Sequence, residues 1–242
     1  MSEAYLLMWL EAPLQSWGYD SRFGRRDSLD FPTKSGVLGL LCCALGQGGE
    51  QREWLAKWAV RNMVVKAYVP QDRKTGRAKP RLPMMRDFQM VGSGYDTNDP
   101  WQSLLVPRKS DGGKAVGGGT KMTYRFYLQD MAFAVAFQGP LEELKELEAA
   151  LQNPVWDVYF GRKNCAPTEI IAQGVYPNLE AALQYADHFA GEEKKTTPRV
   201  ASFCVLEGEQ EGGEVITLND VPLQFGLNKQ YRDRQVTIIR YD

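Results

Sequence analysis

Two short stretches hold the residues whose types and spacing suggest chemistry. In the first, Pro32-Thr33-Lys34-Ser35-Gly36 stands just ahead of an apolar run, the pattern that opens a helix. A helix begun there turns unpaired N–H groups and the positive end of its dipole outward, an arrangement suited to phosphate. Lys34 beside those amides, with Arg22, Arg25 and Arg26 upstream, would make the site electropositive enough for several phosphates. The same spacing also describes an ordinary capped helix next to a solvated charged loop. The second stretch is Tyr159-Phe160-Gly161-Arg162-Lys163-Asn164-Cys165. Gly161 allows a tight turn after an aromatic strand end and presents two cations near two rings. Cations beside aromatic faces suit single-stranded RNA, whose phosphates need neutralising and whose unstacked bases need platforms. Alone, the heptapeptide reads equally as a surface turn.

Other chemistries find little support. The single histidine, His188, sits near the end of a helical pattern, where a structural role is the common one. Cys42, Cys43, Cys165 and Cys204 form no CxxC pair and have no histidine at zinc spacing, so no metal is expected and the thiols read as reduced, with Cys42 and Cys43 in a helix core. The glycines around 112–121 miss the P-loop because Gly118 stands where its lysine belongs. No cofactor fingerprint is present.

The elements that must position these stretches follow from periodicity. Residues 5–12, YLLMWLEA, read as a central strand ending at Pro13. Val37, Leu38, Leu41, Ala44 and Leu45 define the apolar face of a helix that Gly46 stops. A short helix over 51–61 and a β-branched strand over 63–69 complete strand, helix, strand. Residues 71–123 lack the periodicity of a core layer and read as a projecting arm, with a floppy surface insertion as the competing reading. A long strand over 122–139, with a bend at Gln129-Asp130, leads to a helix at 140–152 faced by Leu141, Leu144, Leu147 and Leu151. This is most of the βαββαβ order of an α+β, ferredoxin-like fold. The closing strand could be 170–175 or 200–207. Beyond it, a helix near 178–187, an acidic hairpin at Gly212-Gly213 and strands at 214–218 and 235–241 make a β-rich C-terminal part. The expected division is a core of 1–70 and 124–165, an arm of 71–123 and an extension of 166–242.

The formal charge of −1 over 242 residues hides a segregation. Residues 1–130 carry 19 Lys and Arg against 13 Asp and Glu, a net +6, whereas residues 131–242 carry 10 against 17, a net −7. Such asymmetry permits a local basic face on a soluble protein, although chance clustering of solvated lysines would look similar. With 43% hydrophobic residues, no apolar run of membrane-spanning length and no secretory signal pattern, a cytoplasmic location is expected.

Taken together, Leu10-Glu-Ala-Pro-Leu-Gln-Ser-Trp-Gly18, Ser21-Arg-Phe23, Arg26, Phe31-Pro-Thr-Lys-Ser-Gly-Val-Leu-Gly-Leu-Leu41, Met85-Arg-Asp-Phe88, Thr123-Tyr-Arg-Phe-Tyr-Leu128 and Tyr159-Phe-Gly-Arg-Lys-Asn-Cys165 resemble the CasD family. That family, in the Cas-five group, supplies a subunit of the type I-E CRISPR Cascade complex. The resemblance implies a ferredoxin-like, RRM-related (RAMP-type) core with an inserted thumb, here 71–123, and a non-catalytic subunit capping the 5′ handle of the CRISPR RNA. It also implies contacts with the backbone subunit CasC and the large subunit CasA, and engagement of target DNA through the assembled complex. Carried over by motif, the RNA-binding residues would be Gln15, Trp17, Gly18, Arg22, Arg26, Lys34, Ser35, Gly36, Arg86, Arg125, Arg162 and Lys163. Lys34, Ser35 and the Gly36 amide would hold phosphate, the arginines would grip backbone or base edges, and Trp17 would either stack on a base or sit in the core. Two other functions compete with this one. A metal-independent endoribonuclease would rely on a Tyr and a Lys to assist 2′-OH attack. A free-standing RRM-like regulator would lack the usual aromatic signature.

Overall fold

The structure is a computed structural model that describes residues 3–19, 21, 24–91, 98, 109–113, 121–192 and 197–241. Among these are nine strands and four helices: β1 (Glu3–Gln15), β2 (Arg25–Arg26), α1 (Lys34–Leu45), α2 (Arg52–Trp58), β3 (Met63–Pro70), β4 (Met85–Val91), β5 (Lys121–Pro140), α3 (Leu141–Gln152), β6 (Ala172–Tyr176), α4 (Leu179–Ala190), β7 (Arg199–Glu207), β8 (Glu214–Gln224) and β9 (Gln230–Arg240). No described helix is long and apolar enough to cross a membrane.

One large sheet runs β6-β1-β5-β3-β7-β9-β8, and every pairing along it is antiparallel. Strand alternation explains its two faces. Leu6, Met8 and Leu10 of β1 join Phe133, Val135 and Phe137 of β5 on one face, where α1 and α3 cover them. The intervening residues, Leu7 and Trp9 with Ala132, Ala134 and Ala136, face the other way onto α4. There Ala182, Ala186 and Ala190 present the smallest possible helix surface, and alanines on both sides let helix and sheet approach closely. The alternation of large and small residues in the long strand is therefore a record of two different layers.

Helix α1 begins as expected: the Thr33 hydroxyl accepts from the Gly36 amide at 3.1 Å. It ends at Gly46, whose φ of +70° closes the last turn through Cys42 and Cys43 carbonyls. Cys43 departs from the expected helix core, since it is only half-buried and its thiol donates to the Asp157 carbonyl at 3.3 Å. Strands 172–176 and 199–207 both exist: the first pairs with β1 and the second with β3.

Part of the 71–123 segment is regular structure. Strand β4 pairs with the first part of β5, from Met85↔Tyr127 to Val91↔Lys121, and β2 adds to β5 in parallel through Arg25↔Tyr124 and Arg26↔Arg125. This ribbon leaves the main sheet at Asp130, a non-glycine residue with φ of +49°, which matches the expected bend. Arg199 fixes that turn by donating to the Asp130 carbonyl at 2.8 Å, its carboxylate at 2.7 Å and Glu11 at 3.0 Å. Gly117, Gly118 and Gly119 of the glycine-rich loop lie outside the described residues.

Candidate nucleic-acid interface

Gly161 is the pivot of the site. Its φ is +90°, and a Cβ there would lie 1.7 Å from the Ser16 carbonyl oxygen, so no side chain fits. The close approach joins the 159–165 turn to the end of β1: the Ser16 amide donates to the Phe160 carbonyl at 3.1 Å, and Phe160 stacks on Trp17 with centroids 5.9 Å apart. Two clefts meet at this turn and share Gly161 and Arg162. One, roughly 480 Å³, is walled by Gly18, Arg26, Ser35, Lys229 and Tyr231. The other, roughly 520 Å³, is walled by Gln89, Arg125, Tyr127, Lys163 and Asn164. The two sequence stretches, more than a hundred residues apart, are thus one surface.

Several of the anticipated contact residues turn inward. Gln15 is fully buried; its amide donates to the Leu10 and Met131 carbonyls at 3.1 and 2.8 Å and its oxygen accepts from the Trp17 indole at 3.0 Å. Trp17 is itself buried and stacked on Phe160. The Lys34 ammonium, buried with it, donates to Glu207 at 2.7 Å and to the Arg61 carbonyl at 2.6 Å. Burial pushes this ammonium below its ordinary value, and Glu207 opposes the shift. The anion at the start of α1 is supplied by the protein: Asp220 accepts from the Lys34 amide at 2.8 Å and is held by Arg234 at 2.7 and 2.9 Å. Gly36 already donates its amide to Thr33, and its missing side chain makes room for Trp17, whose ring a Cβ would meet at 2.8 Å. The polar groups of these four residues are engaged within the protein, and Trp17 and Gly36 also line the first cleft.

Of the remaining expected residues, Gly18, Arg26, Ser35, Arg125, Arg162 and Lys163 line the clefts, and Arg86 lies on the other face of the ribbon from Gln89 and Arg125. Arg26, Lys163 and Arg86 are exposed and Arg125 is half-exposed, with no ion pair to any of them among the described residues. Arg162 is more constrained. Its guanidinium donates to the Arg26 and Phe126 carbonyls at 3.0 and 3.1 Å and lies 4.4 Å from the Tyr127 ring centroid, so it staples the turn to the ribbon while edging both clefts. Arg22 lies outside the described residues. On the ribbon, Arg86 sits over Tyr124 and Arg25 over Phe126, at 5.6 and 4.8 Å, and Phe88 and Tyr124 form an exposed ring pair. This is a surface on which cations and aromatic faces alternate. His188 is exposed on α4, which packs on the opposite face of the sheet from α1. Among the described residues no cluster of metal-ligating side chains occurs.

Residues 5–237 match the family model described as CRISPR-associated protein (Cas_Cas5). The chain belongs to the Cas5 family. It is 28% identical over 180 residues to the CRISPR system Cascade subunit CasD of Escherichia coli strain K12, covering 71% of this chain and 70% of that protein. Among solved structures it resembles a chain of a CRISPR RNA-guided surveillance complex, at 25% identity and a TM-score of 0.68, with 98% of this chain and 89% of that one covered. A crystal structure of a Cas protein matches at 25% identity and a TM-score of 0.56, covering 98% and 94%.

For a Cas5-family protein, the sequence reading overlooks the far wall of the first cleft. Phe225, Lys229 and Tyr231 reach it from the β8–β9 hairpin. No local motif marks them. Their signal is compositional: between Phe225 and Arg232 the acidic half of the chain carries two cations and no carboxylate.

Proposed function

We propose that this Cas5-family protein is a non-catalytic, RNA-binding subunit of a type I-E CRISPR surveillance complex in the cytoplasm, where it caps the 5′ handle of the guide RNA. The observation that carries this reading is the pair of cation-lined clefts joined at Gly161 and Arg162. A linear polyanion can run from one to the other. Phosphates would meet Arg26, Ser35, Lys163 and Arg125, and the ribbon would offer Arg86 and its rings to bases. Gly18, exposed with open space around its Cα, would allow close approach of the RNA backbone.

The architecture supports a ferredoxin-like, RRM-related core. Strands β1, β3, β5 and β6, with α1 and α3, follow βαββαβ in sequence and lie in the antiparallel order fourth, first, third, second. In this reading the core is 1–70 with 124–165, although the edge strand β6 lies just beyond it; residues 71–123 are a thumb that packs on CasC; and 166–242 extend the sheet. CasA would dock nearby, and target DNA would be engaged through the assembly. The solved surveillance complex and the curated CasD relative support membership in such an assembly.

The test is co-expression with the other Cascade subunits and a CRISPR array, followed by crosslinking of the bound RNA to this chain. Crosslinks from the 5′ handle to peptides covering 15–36 and 159–165 are expected. Crosslinks confined to other surfaces, or cleavage of repeat RNA by the isolated chain, would overturn the proposal.

A further inference from the structure

We infer that the tip of the β8–β9 hairpin is a third RNA-binding wall, in which Lys229 holds a backbone phosphate opposite Arg26 and Tyr231 offers its ring to the adjoining base. The inference rests on the RNA-binding reading above and adds residues that lie outside every motif carrying it.

Four observations converge on it. First, Arg26 and Lys229 line one cleft from opposite ends of the sequence. Both are exposed, and neither has an ion-pair partner among the described residues. The described carboxylate in that cleft, Asp27, is engaged by Arg25 at 2.8 Å, so among the described residues the two positive charges share the cleft with no free anion. Second, the tip is held in place. The Phe225 amide donates to the Glu50 carbonyl at 3.0 Å, Gly226 turns the chain at φ of +78° with its Cβ position 3.6 Å from the Gly49 backbone, and Gln224↔Gln230 forms the last rung. A rigid hairpin presents its cation without the ordering cost of a mobile loop.

Third, the lining mixes those charges with the half-buried rings of Phe225 and Tyr231 and the hydroxyls of Ser21 and Ser35. Cations serve phosphates, rings serve bases and hydroxyls can meet the 2′-OH, a combination that fits single-stranded RNA. Fourth, this cleft continues into the second one across Gly161 and Arg162. A free nucleotide would use one cleft, whereas a strand uses both.

The experiment measures binding of the full chain to a short labelled single-stranded RNA across a salt series, with Arg26→Ala, Lys229→Ala, Lys229→Arg, Tyr231→Ala and Tyr231→Phe beside the wild type. Lys145→Ala, an exposed lysine on α3 outside both clefts, is the control. Lys229→Ala should reduce the slope of log affinity against log salt by about 0.7, the contribution of one phosphate contact to a single strand. Lys229→Arg should restore it. Tyr231→Ala should weaken binding roughly tenfold with the slope unchanged, as loss of a stacking platform does, and Tyr231→Phe should bind like wild type. If the wild type binds and Arg26→Ala lowers the slope while Lys229→Ala and Tyr231→Ala match wild type, the hairpin wall is refuted and the RNA-binding reading stands. If the wild type does not bind single-stranded RNA, that reading falls and takes the hairpin wall with it.

Discussion

Replacing Gly161 with alanine is the sharpest perturbation of the interface. The new Cβ would be placed 1.7 Å from the Ser16 carbonyl oxygen and 2.8 Å from its carbon, against backbone that has no rotamer to change. Ordinary carbon–oxygen contacts lie at about 3.3–3.6 Å, so the two chain segments must separate by well over 1 Å. Three losses follow. An alanine at φ of +90° carries backbone strain of about 1–3 kcal/mol. Separation breaks the Ser16 to Phe160 hydrogen bond, a net of about 0.5–1.5 kcal/mol. It also loosens the Trp17–Phe160 stack, about another 0.5–1.5 kcal/mol. The total, about 4 kcal/mol, corresponds in a protein of this size to a fall in Tm of roughly 8–16 °C. Gly39→Ala is the matched control: nothing lies within 4 Å of its Cβ, and it stands inside α1. The same chemical change should therefore stabilise the helix by about 0.5–1 kcal/mol. Thermal denaturation of the two variants beside wild type is the assay. A Gly161→Ala melting temperature within about 2 °C of wild type would refute the reasoning, because it would mean that the turn and the β1 end are not in contact.

Lys34→Glu should be a folding mutation: it sets a third carboxylate beside Glu207 and Asp220, and breaking this buried network should cost about 3–5 kcal/mol, read by chemical denaturation. If Lys34→Glu instead folds normally and only loses RNA affinity, the inward position of Lys34 is refuted. Arg199→Leu removes three donors from the root of the ribbon and should lower stability by a similar ~3–5 kcal/mol. It should also increase proteolytic cleavage near Asp130, which limited proteolysis reports. Burial raises the Cys42 thiol from its ordinary value of 9.0 to about 12. A raised thiol favours the protonated native state, so its contribution is intact below pH 9.0 and is lost as pH climbs towards about 12. Cys42→Ala should therefore flatten the alkaline limb of a stability–pH profile over that window. At neutral pH, iodoacetamide should reach half-buried Cys43 before Cys42, as peptide mapping would show.

Much of the frame was legible in the sequence because it is written in local periodicity. The strand over 5–12, which in the structure runs on through Pro13 to Gln15, the helix from Lys34 to Gly46, the strand before Pro70 and the helix after Pro140 all announce themselves through spacing and caps. The bend at Asp130 was legible too, since a polar pair interrupts an apolar strand. The glycine of the 159–165 turn is legible as a point of conformational freedom. Its deeper reason, a Ser16 carbonyl oxygen 1.7 Å from where a Cβ would stand, belongs to the tertiary contact.

Side-chain direction is what local pattern could not supply. Lys34 beside a helix start reads as a phosphate ligand until Glu207, Asp220 and Arg234 arrive from β7, β8 and β9 and enclose it. Gln15 and Trp17 sit among loop-like residues yet are sealed by Met131 and Phe160. Lys229 gives the reverse case, an unremarkable hairpin lysine carried to Arg26 by the closing strands of the sheet. The sequence by itself determined the elements, the cation-rich stretches and the family, because helix caps, alternation and motif order act over a few residues. Tertiary structure alone decided which charges stay free to meet a ligand, because desolvation and ion pairing depend on neighbours that the chain brings from two hundred residues away.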